Sequence, residues 1–167
     1  LEQRVAAVAP DVIVIYDAAA DLAVDTHVLA EAAGLAEAPR SPGWLGRTSL
    51  LWKLILKNRE FLASQRAARS SEGKLRCDMD ALAAGFEERL VRLAGRARDV
   101  AGVVALVTFA TKFAPTQPLE EQLANMEQSF TFMPYLAPEA LNAGFEAYNR
   151  AIAPAAGRTG ARLIGDH

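Results

Sequence analysis

The sequence predicts an α/β fold with a mainly parallel sheet, because short apolar runs alternate with segments of helical spacing. The runs are DVIVIYD (11–17), VVALVTF (103–109) and ARLIG (161–165). The first two are continuous and rich in β-branched residues, which is typical of strands buried on both faces of a parallel sheet. Helices between successive strands imply crossover connections, and these favour parallel pairing.

The length and composition favour one soluble domain. The chain has 167 residues, of which 51% are hydrophobic and 23% are charged, and its formal net charge is −2. We therefore predict a single domain over residues 1–167 and no nucleic-acid partner, since no basic surplus exists to attract phosphates. We expect no signal peptide and no membrane span within these residues, no cofactor, and no internal disulfide, because Cys77 is the only cysteine.

The first two helices follow the first strand. Asp25 or Thr26 is expected to cap a short helix, HVLAEAAGL, that stops at Gly34. After a proline- and glycine-containing loop (36–47), residues 48–69 have the pattern of one long basic amphipathic helix. Such a helix can lie on a membrane, but its modest positive charge favours packing on the domain.

The later helices flank the second strand. Asp78 or Asp80 is expected to open a crossover helix, and Pro138 a helix that ends at Gly160. Apolar residues recur at helical spacing in both, at Leu82, Phe86, Leu90 and Leu93 in the first and at Leu141, Phe145, Tyr148 and Ile152 in the second. The resulting element order predicts a flavodoxin-like three-layer α/β/α arrangement, incomplete at both ends.

A long excursion (110–140) follows the second strand. It contains an aromatic-rich cluster, formed by Phe130, Phe132, Met133 and Tyr135. Long insertions at this position often form the wall of a binding cleft, whereas a helical flap that closes its own core is the equally weighted alternative.

Candidate site residues follow the strands, because ligands of open parallel sheets bind at the strands' carboxyl ends. After the first strand come Asp17, Ala18–Ala20 and Asp21; after the second come Thr108, Thr111 and Lys112; after the third come Asp166 and His167. The chain has no G-x-S-x-G, P-loop or G-x-G-x-x-G motif, and no serine follows a strand. Two further hypotheses are weaker: a Mg²⁺ site on Asp17, Asp21, Asp25 and His27, and a receiver-like phosphoacceptor at Asp17 beside Thr108.

The pattern of the whole chain resembles the SGNH (GDSL-type) family of esterases and lipases. PDVIVIYDAAADLAVDT resembles the family's third block, in which a strand ends in G-x-N-D or a related pattern, and similar phrases are GFEERLVRL, VVALVTFATKF, QPLEEQL, FMPYLAPEALNAGFEAYNRAI and GARLIGDH. The resemblance implies a serine hydrolase of esters. It also implies that the G-D-S block would precede Leu1 and the D-x-x-H block would follow His167, so that no catalytic residue lies within the chain.

Carried over residue by residue, the resemblance places Ala20 at the asparagine of the oxyanion loop and Asp21 at the aspartate that follows it. Asp17, Thr108 and Thr111 are possible lining residues of the cleft. We therefore expect an SGNH-type ester hydrolase, present here as an incomplete and inactive portion that would self-associate through its open sheet edge. Its substrate would be an acyl lipid, an acetylated sugar or a small acyl ester. The alternative is a non-catalytic relative that binds a ligand or partner in the same cleft.

Overall fold

The structure, a computed structural model, describes residues 8–35, 74–114 and 116–165. The predicted loop 36–47, the predicted amphipathic helix 48–69 and the strand-end residues Asp166 and His167 lie outside the described residues. The described elements are, in chain order, β1 (Val12–Ile15), α1 (Ala18–Ala32), α2 (Met79–Arg98), β2 (Val103–Val107), α3 (Leu119–Phe132), α4 (Pro138–Thr159) and β3 (Arg162–Ile164). This confirms the mixed α/β class and all three predicted strands.

The described strands form one three-stranded sheet in the order β1-β2-β3, and both pairings are parallel. Ile15 lies beside Leu106, and Val107 lies beside Ile164. The central strand β2 is buried at its middle positions Val104, Ala105 and Leu106. Parallel pairing was expected from the helical crossovers, and it brings the carboxyl ends of all three strands to one edge.

The prediction that the first strand is buried on both faces is wrong. Val12 and Val14 are 53% and 59% exposed, while Ile13 and Ile15 on the opposite face are half-buried. β1 is an edge strand of the described sheet. One of its faces is therefore less covered by other side chains than the faces of the central strand β2 are. A continuous apolar run does not distinguish these two environments.

The prediction that Asp25 or Thr26 caps the first helix is also wrong. α1 begins at Ala18, directly after the strand, and the Asp17 carbonyl accepts a hydrogen bond of 3.0 Å from the Asp21 amide. Ala20, which the resemblance places in a loop, therefore lies with Ala18 and Ala19 in the first turn of the helix. Alanine has the highest helix propensity of any residue, so this run can start the helix before a better capping residue is reached.

The end of α1 matches the prediction at Gly34. This residue has φ +70, the Gly34 amide donates to the Glu31 carbonyl at 3.0 Å, and the Leu35 amide donates to the Ala30 carbonyl at 2.8 Å. These two bonds form a Schellman motif, whose left-handed residue glycine adopts without steric cost.

Helix α2 begins where the sequence predicts. The Asp78 carboxylate accepts hydrogen bonds from the amides of Asp80 and Ala81, at 3.0 and 3.1 Å, which identifies Asp78 as the N-cap. Phe86 and Leu90 are buried as expected, but Leu93 is 45% exposed. Leu93 lies at the margin of the buried stripe, whose remaining positions are Met79, Ala83, Ala94 and Ala97.

Helix α4 follows the predicted stripe. Leu141, Phe145, Tyr148 and Ile152 are all buried, and Gly160 follows the helix with φ +68. The Tyr148 ring stacks on the Phe86 ring of α2 at a centroid distance of 4.8 Å. This aromatic pair joins α2 and α4.

Contacts between Cα atoms divide the chain into two compact units. The described residues of the first unit are 8–22, 78–111 and 142–165, which include the sheet and α2; those of the second are 23–35, 74–77, 112–114 and 116–141, which include α3. In the second unit, Phe130, Met133 and Tyr135 of the aromatic-rich cluster are buried, and Phe132 is 65% exposed. Burial of three members favours the interpretation of this excursion as a flap that closes its own core.

Candidate functional site at the carboxyl edge of the sheet

The parallel sheet brings the ends of β1 and β2 to the same edge, where the sequence predicts the site. Asp17 and Ala20 are exposed, Asp21 and Thr108 are half-buried, and Thr111 is exposed. All five belong to the first unit. Ala20 lies in the first turn of α1, so the predicted oxyanion position is helical and its side chain offers only a methyl group to this edge.

Asp21 is held by an ion pair with Arg89 of α2. The Arg89 Nε and Nη2 atoms both donate to Asp21 Oδ1, at 3.3 and 3.2 Å. The two side chains are 28% and 38% exposed, so water screens the pair only in part. This ion pair connects the first turns of α1 to α2. Nothing near Arg89 in the sequence indicates its partner 68 residues away.

The end of β2 is fixed by β3. The Thr108 amide donates to the Ile164 carbonyl at 3.0 Å, and Gly165 follows with φ +148. A Cβ atom at residue 165 would overlap the Thr108 side chain. Glycine is therefore required here both by the backbone conformation and by the close approach of Thr108.

Asn149 of α4 binds the backbone of the residue that follows Thr108. The Phe109 amide donates to Asn149 Oδ1 at 2.8 Å, and Asn149 Nδ2 donates to the Phe109 carbonyl at 2.8 Å. Both hydrogen-bonding groups of the side-chain amide are thus used at one residue. Sequence reasoning missed Asn149. The only sequence feature that could have indicated it is that an asparagine directly follows Tyr148, which belongs to the buried stripe of α4.

Three rings, which we call the aromatic row (Tyr16, Phe109 and Phe145), cross the first unit at this edge. The Tyr16 and Phe109 centroids are 5.8 Å apart with a tilt of 30°, and those of Phe109 and Phe145 are 4.8 Å apart and stacked at 14°. Phe145 is buried and Tyr16 is 54% exposed. The row therefore begins in the core and ends at the surface, beside Asp17.

A separate polar cluster lies in the second unit. Thr26 is fully buried, its Oγ1 lies 3.4 Å from the Tyr135 hydroxyl, and that hydroxyl donates to the Ala23 carbonyl at 3.2 Å. Burial raises the pKa of the Tyr135 phenol, the hydrogen bond to Thr26 opposes this shift, and the Glu31 charge adds to it. The His27 Nε2 and Glu31 Oε1 atoms are 3.1 Å apart, although the buried Oε1 atom lacks a hydrogen bond of acceptable geometry. Thr26 and Tyr135 therefore form a buried structural hydrogen-bonded pair, and His27 and Glu31 lie one helical turn apart beside it.

The described residues contain no group of three histidine, cysteine, aspartate or glutamate side chains that could hold a metal ion. The Mg²⁺ hypothesis for Asp17, Asp21, Asp25 and His27 therefore finds no support in the geometry of this part of the chain. Within the same ranges, no helix combines the length and the apolar character needed to cross a bilayer.

The carboxyl edge thus offers an exposed carboxylate at Asp17 and an aromatic row. Asn149, Arg89 and Gly165 hold the ends of the strands in position there.

Six serines occur in the chain, at 41, 49, 64, 70, 71 and 129. Only Ser129 is among the described residues, and it lies in α3 of the second unit. Searches against protein-family models, curated proteins and solved structures found no match to this chain.

Proposed function

We propose that this chain is the central portion of an SGNH-type ester hydrolase with a flavodoxin-like three-layer fold. The observation that supports the proposal best is the strand order. β1, β2 and β3 lie side by side in chain order and are all parallel. This is the arrangement of the last three strands in the flavodoxin-like order 2-1-3-4-5.

In that order the topological switch point lies at the outer edge of the strand equivalent to β1, and ligands bind there. Asp17, Ala20 and Asp21 follow β1 directly, at the position that the family resemblance assigns to the oxyanion loop. The proposed reaction is acyl transfer, in which a serine attacks the ester carbonyl and water then hydrolyses the acyl-enzyme. No serine follows β1, β2 or β3 in the described residues, so under this proposal the nucleophile and its histidine base come from segments outside residues 1–167.

The role of this chain in the reaction would be to form one side of the oxyanion site. The Ala20 methyl group cannot donate a hydrogen bond, and loss of one oxyanion donor costs about 100- to 1,000-fold in rate. The backbone amides of the first turn of α1 have no intrahelical acceptors, so they are the donors that this chain still offers at that edge. We therefore expect slow hydrolysis by the complete gene product.

The test starts from the complete gene product. We expect its sequence to contain a G-D-S segment before β1 and a D-x-x-H segment after β3, and the purified protein to hydrolyse p-nitrophenyl acetate or butyrate. A fluorophosphonate should label the serine of the G-D-S segment, as read by mass spectrometry of the peptides. Absence of both segments together with absence of turnover would reject the enzymatic proposal.

The second candidate is a non-catalytic relative that uses the same cleft to bind a ligand, and the observation in its favour is Ala20. The variant Ala20→Asn restores the missing donor at an exposed position of α1, where the larger side chain has space. No measurable turnover by the unmodified protein, together with turnover by Ala20→Asn, would identify the natural chain as a binding protein with lost catalysis. Substantial turnover by the unmodified protein would contradict this candidate.

A further inference from the structure

The aromatic row is the feature of the carboxyl edge that the proposed reaction does not use. Its inner ring, Phe145, is 3% exposed and its outer ring, Tyr16, is 54% exposed, so the row presents an aromatic side chain to solvent at the end of β1. Exposed tyrosines occur singly on many surfaces. This one stacks on a ring that is itself stacked on the core, which distinguishes it from an isolated surface residue.

The backbone that carries the middle ring is fixed from two sides. Asn149 binds both polar backbone groups of Phe109, and the preceding residue, Thr108, pairs with β3 and lies against Gly165. Because the backbone of Phe109 is held in place, its ring loses little conformational freedom when a ligand packs on it. The entropic cost of binding is therefore small. The aromatic row is therefore preorganised before any ligand arrives.

The polar side chains near the aromatic row indicate which class of ligand can bind there. Both groups of the Asn149 amide are engaged with Phe109, and Asp21 is engaged with Arg89. Because Asn149 and Asp21 already have hydrogen-bond partners, they favour an apolar ligand group over a sugar, whose hydroxyl groups need several such side chains. Asp17 is exposed, and it has no ion-pair partner among the described residues, so its charge disfavours an anionic ligand.

We infer that the aromatic row binds the apolar acyl group of a neutral ester, and that Tyr16 determines this specificity. The inference rests on the proposed function, because it assigns a substrate class to the same edge of the sheet. Among the substrates that the family resemblance leaves open, it selects esters with apolar acyl chains over acetylated sugars.

The kinetic test uses the complete gene product with p-nitrophenyl acetate, p-nitrophenyl hexanoate and glucose pentaacetate. Tyr16→Ala should lower kcat/KM for the hexanoate about tenfold, the effect of losing part of the burial that one aromatic side chain provides. The acetate should be affected less than twofold, and Tyr16→Phe should retain the preference for the hexanoate. Val12→Ala, which shortens another exposed apolar side chain (53%) at the opposite end of β1, is the control and should change neither rate.

Equal losses for acetate and hexanoate in Tyr16→Ala, or a wild-type preference for glucose pentaacetate, would overturn the inference while leaving the hydrolase proposal intact. Phe109→Leu is a second variant that removes the middle ring but keeps an apolar side chain, and it should shift selectivity in the same direction. Far-UV circular dichroism and the melting temperature establish that each variant is folded.

A binding measurement separates this inference from the proposed function. If the wild-type protein hydrolyses no ester, calorimetry with N-phenylhexanamide, a neutral and non-hydrolysable probe, replaces kinetics. A Kd that rises about tenfold in Tyr16→Ala would support the aromatic row as an acyl site even though catalysis has failed. No binding by the wild type, or equal affinity in the two proteins, would reject it.

Discussion

Asn149 and Phe109 are 40 residues apart in the chain and form two hydrogen bonds of 2.8 Å, in which one side-chain amide satisfies both backbone groups of one residue. The pair links the last helix to the residue just beyond the central strand. Four predictions about stability follow from this contact and from three others in the same chain.

Asn149→Ala should destabilise the protein by about 1–3 kcal/mol, because the half-buried Phe109 amide and carbonyl lose their partners. The free energy of unfolding from urea titration measures this change. Asn125→Ala is the matched control, since Asn125 is also half-buried in a helix and its side chain forms no hydrogen bond within the described part of the chain. We expect that change to stay within about 0.5 kcal/mol. Equal effects of the two substitutions would contradict the role assigned to Asn149.

The Asp21–Arg89 pair should have a coupling energy of about 0.5–1 kcal/mol in a double-mutant cycle with Asp21→Asn and Arg89→Met, since the pair is only partly exposed. The more exposed pair Asp80–Arg150, with side chains 81% and 63% exposed, provides the control cycle and should have a smaller coupling energy. The coupling of Asp21 with Arg89 should fall in 1 M salt because of screening. A larger coupling energy for Asp80–Arg150 than for Asp21–Arg89 would contradict the expectation that the less exposed pair is the stronger one.

Gly165→Ala should be destabilising by about 1–3 kcal/mol, because a Cβ atom would overlap Thr108 and because φ +148 is unfavourable for alanine. Thr108→Ala should relieve the overlap and recover part of the loss in the double variant. Gly157→Ala in α4 is the opposite control: its Cβ atom meets nothing within 4 Å, and alanine should stabilise the helix by about 0.5–1 kcal/mol. Thermal unfolding of the three variants tests all of these signs.

Ionisation of Tyr135 should lower the free energy of unfolding at alkaline pH. Burial raises the pKa of its phenol in the folded state, so above about pH 10 the unfolded chain releases this proton more readily than the folded chain does. The contribution is fully present below the unfolded pKa and is lost as the pH rises towards the folded pKa. Urea titrations between pH 8 and 11 should give a steeper decline for the wild type than for Tyr135→Phe. Parallel pH profiles of the two proteins would argue against this linkage.

Several features were predictable because their causes lie within a few residues. The three strands follow from their apolar runs, the start of α2 follows from Asp78, and the end of α1 follows from Gly34. The stripe of α4 follows from helical spacing. Each depends on capping, propensity or periodicity, which local sequence contains.

The candidate site was predictable only in part. Parallel pairing placed Asp17 and Thr108 at one edge, as expected, but the residues that hold that edge were not recognised. The partner of Asp21 is 68 residues away, and the partner of Phe109 is 40 residues away. No local pattern encodes such a distance.

The sequence by itself therefore determined where the three strands lie, where α2 begins, which face of α4 is buried, and which residues follow the strands. Only the tertiary structure decided that Val12 and Val14 are exposed, that Arg89 and Asn149 secure the strand ends, and that Tyr16 becomes the outer ring of an aromatic row. The physical reason is that secondary structure arises from interactions between neighbours in the chain. Burial and side-chain partners depend instead on how distant segments pack.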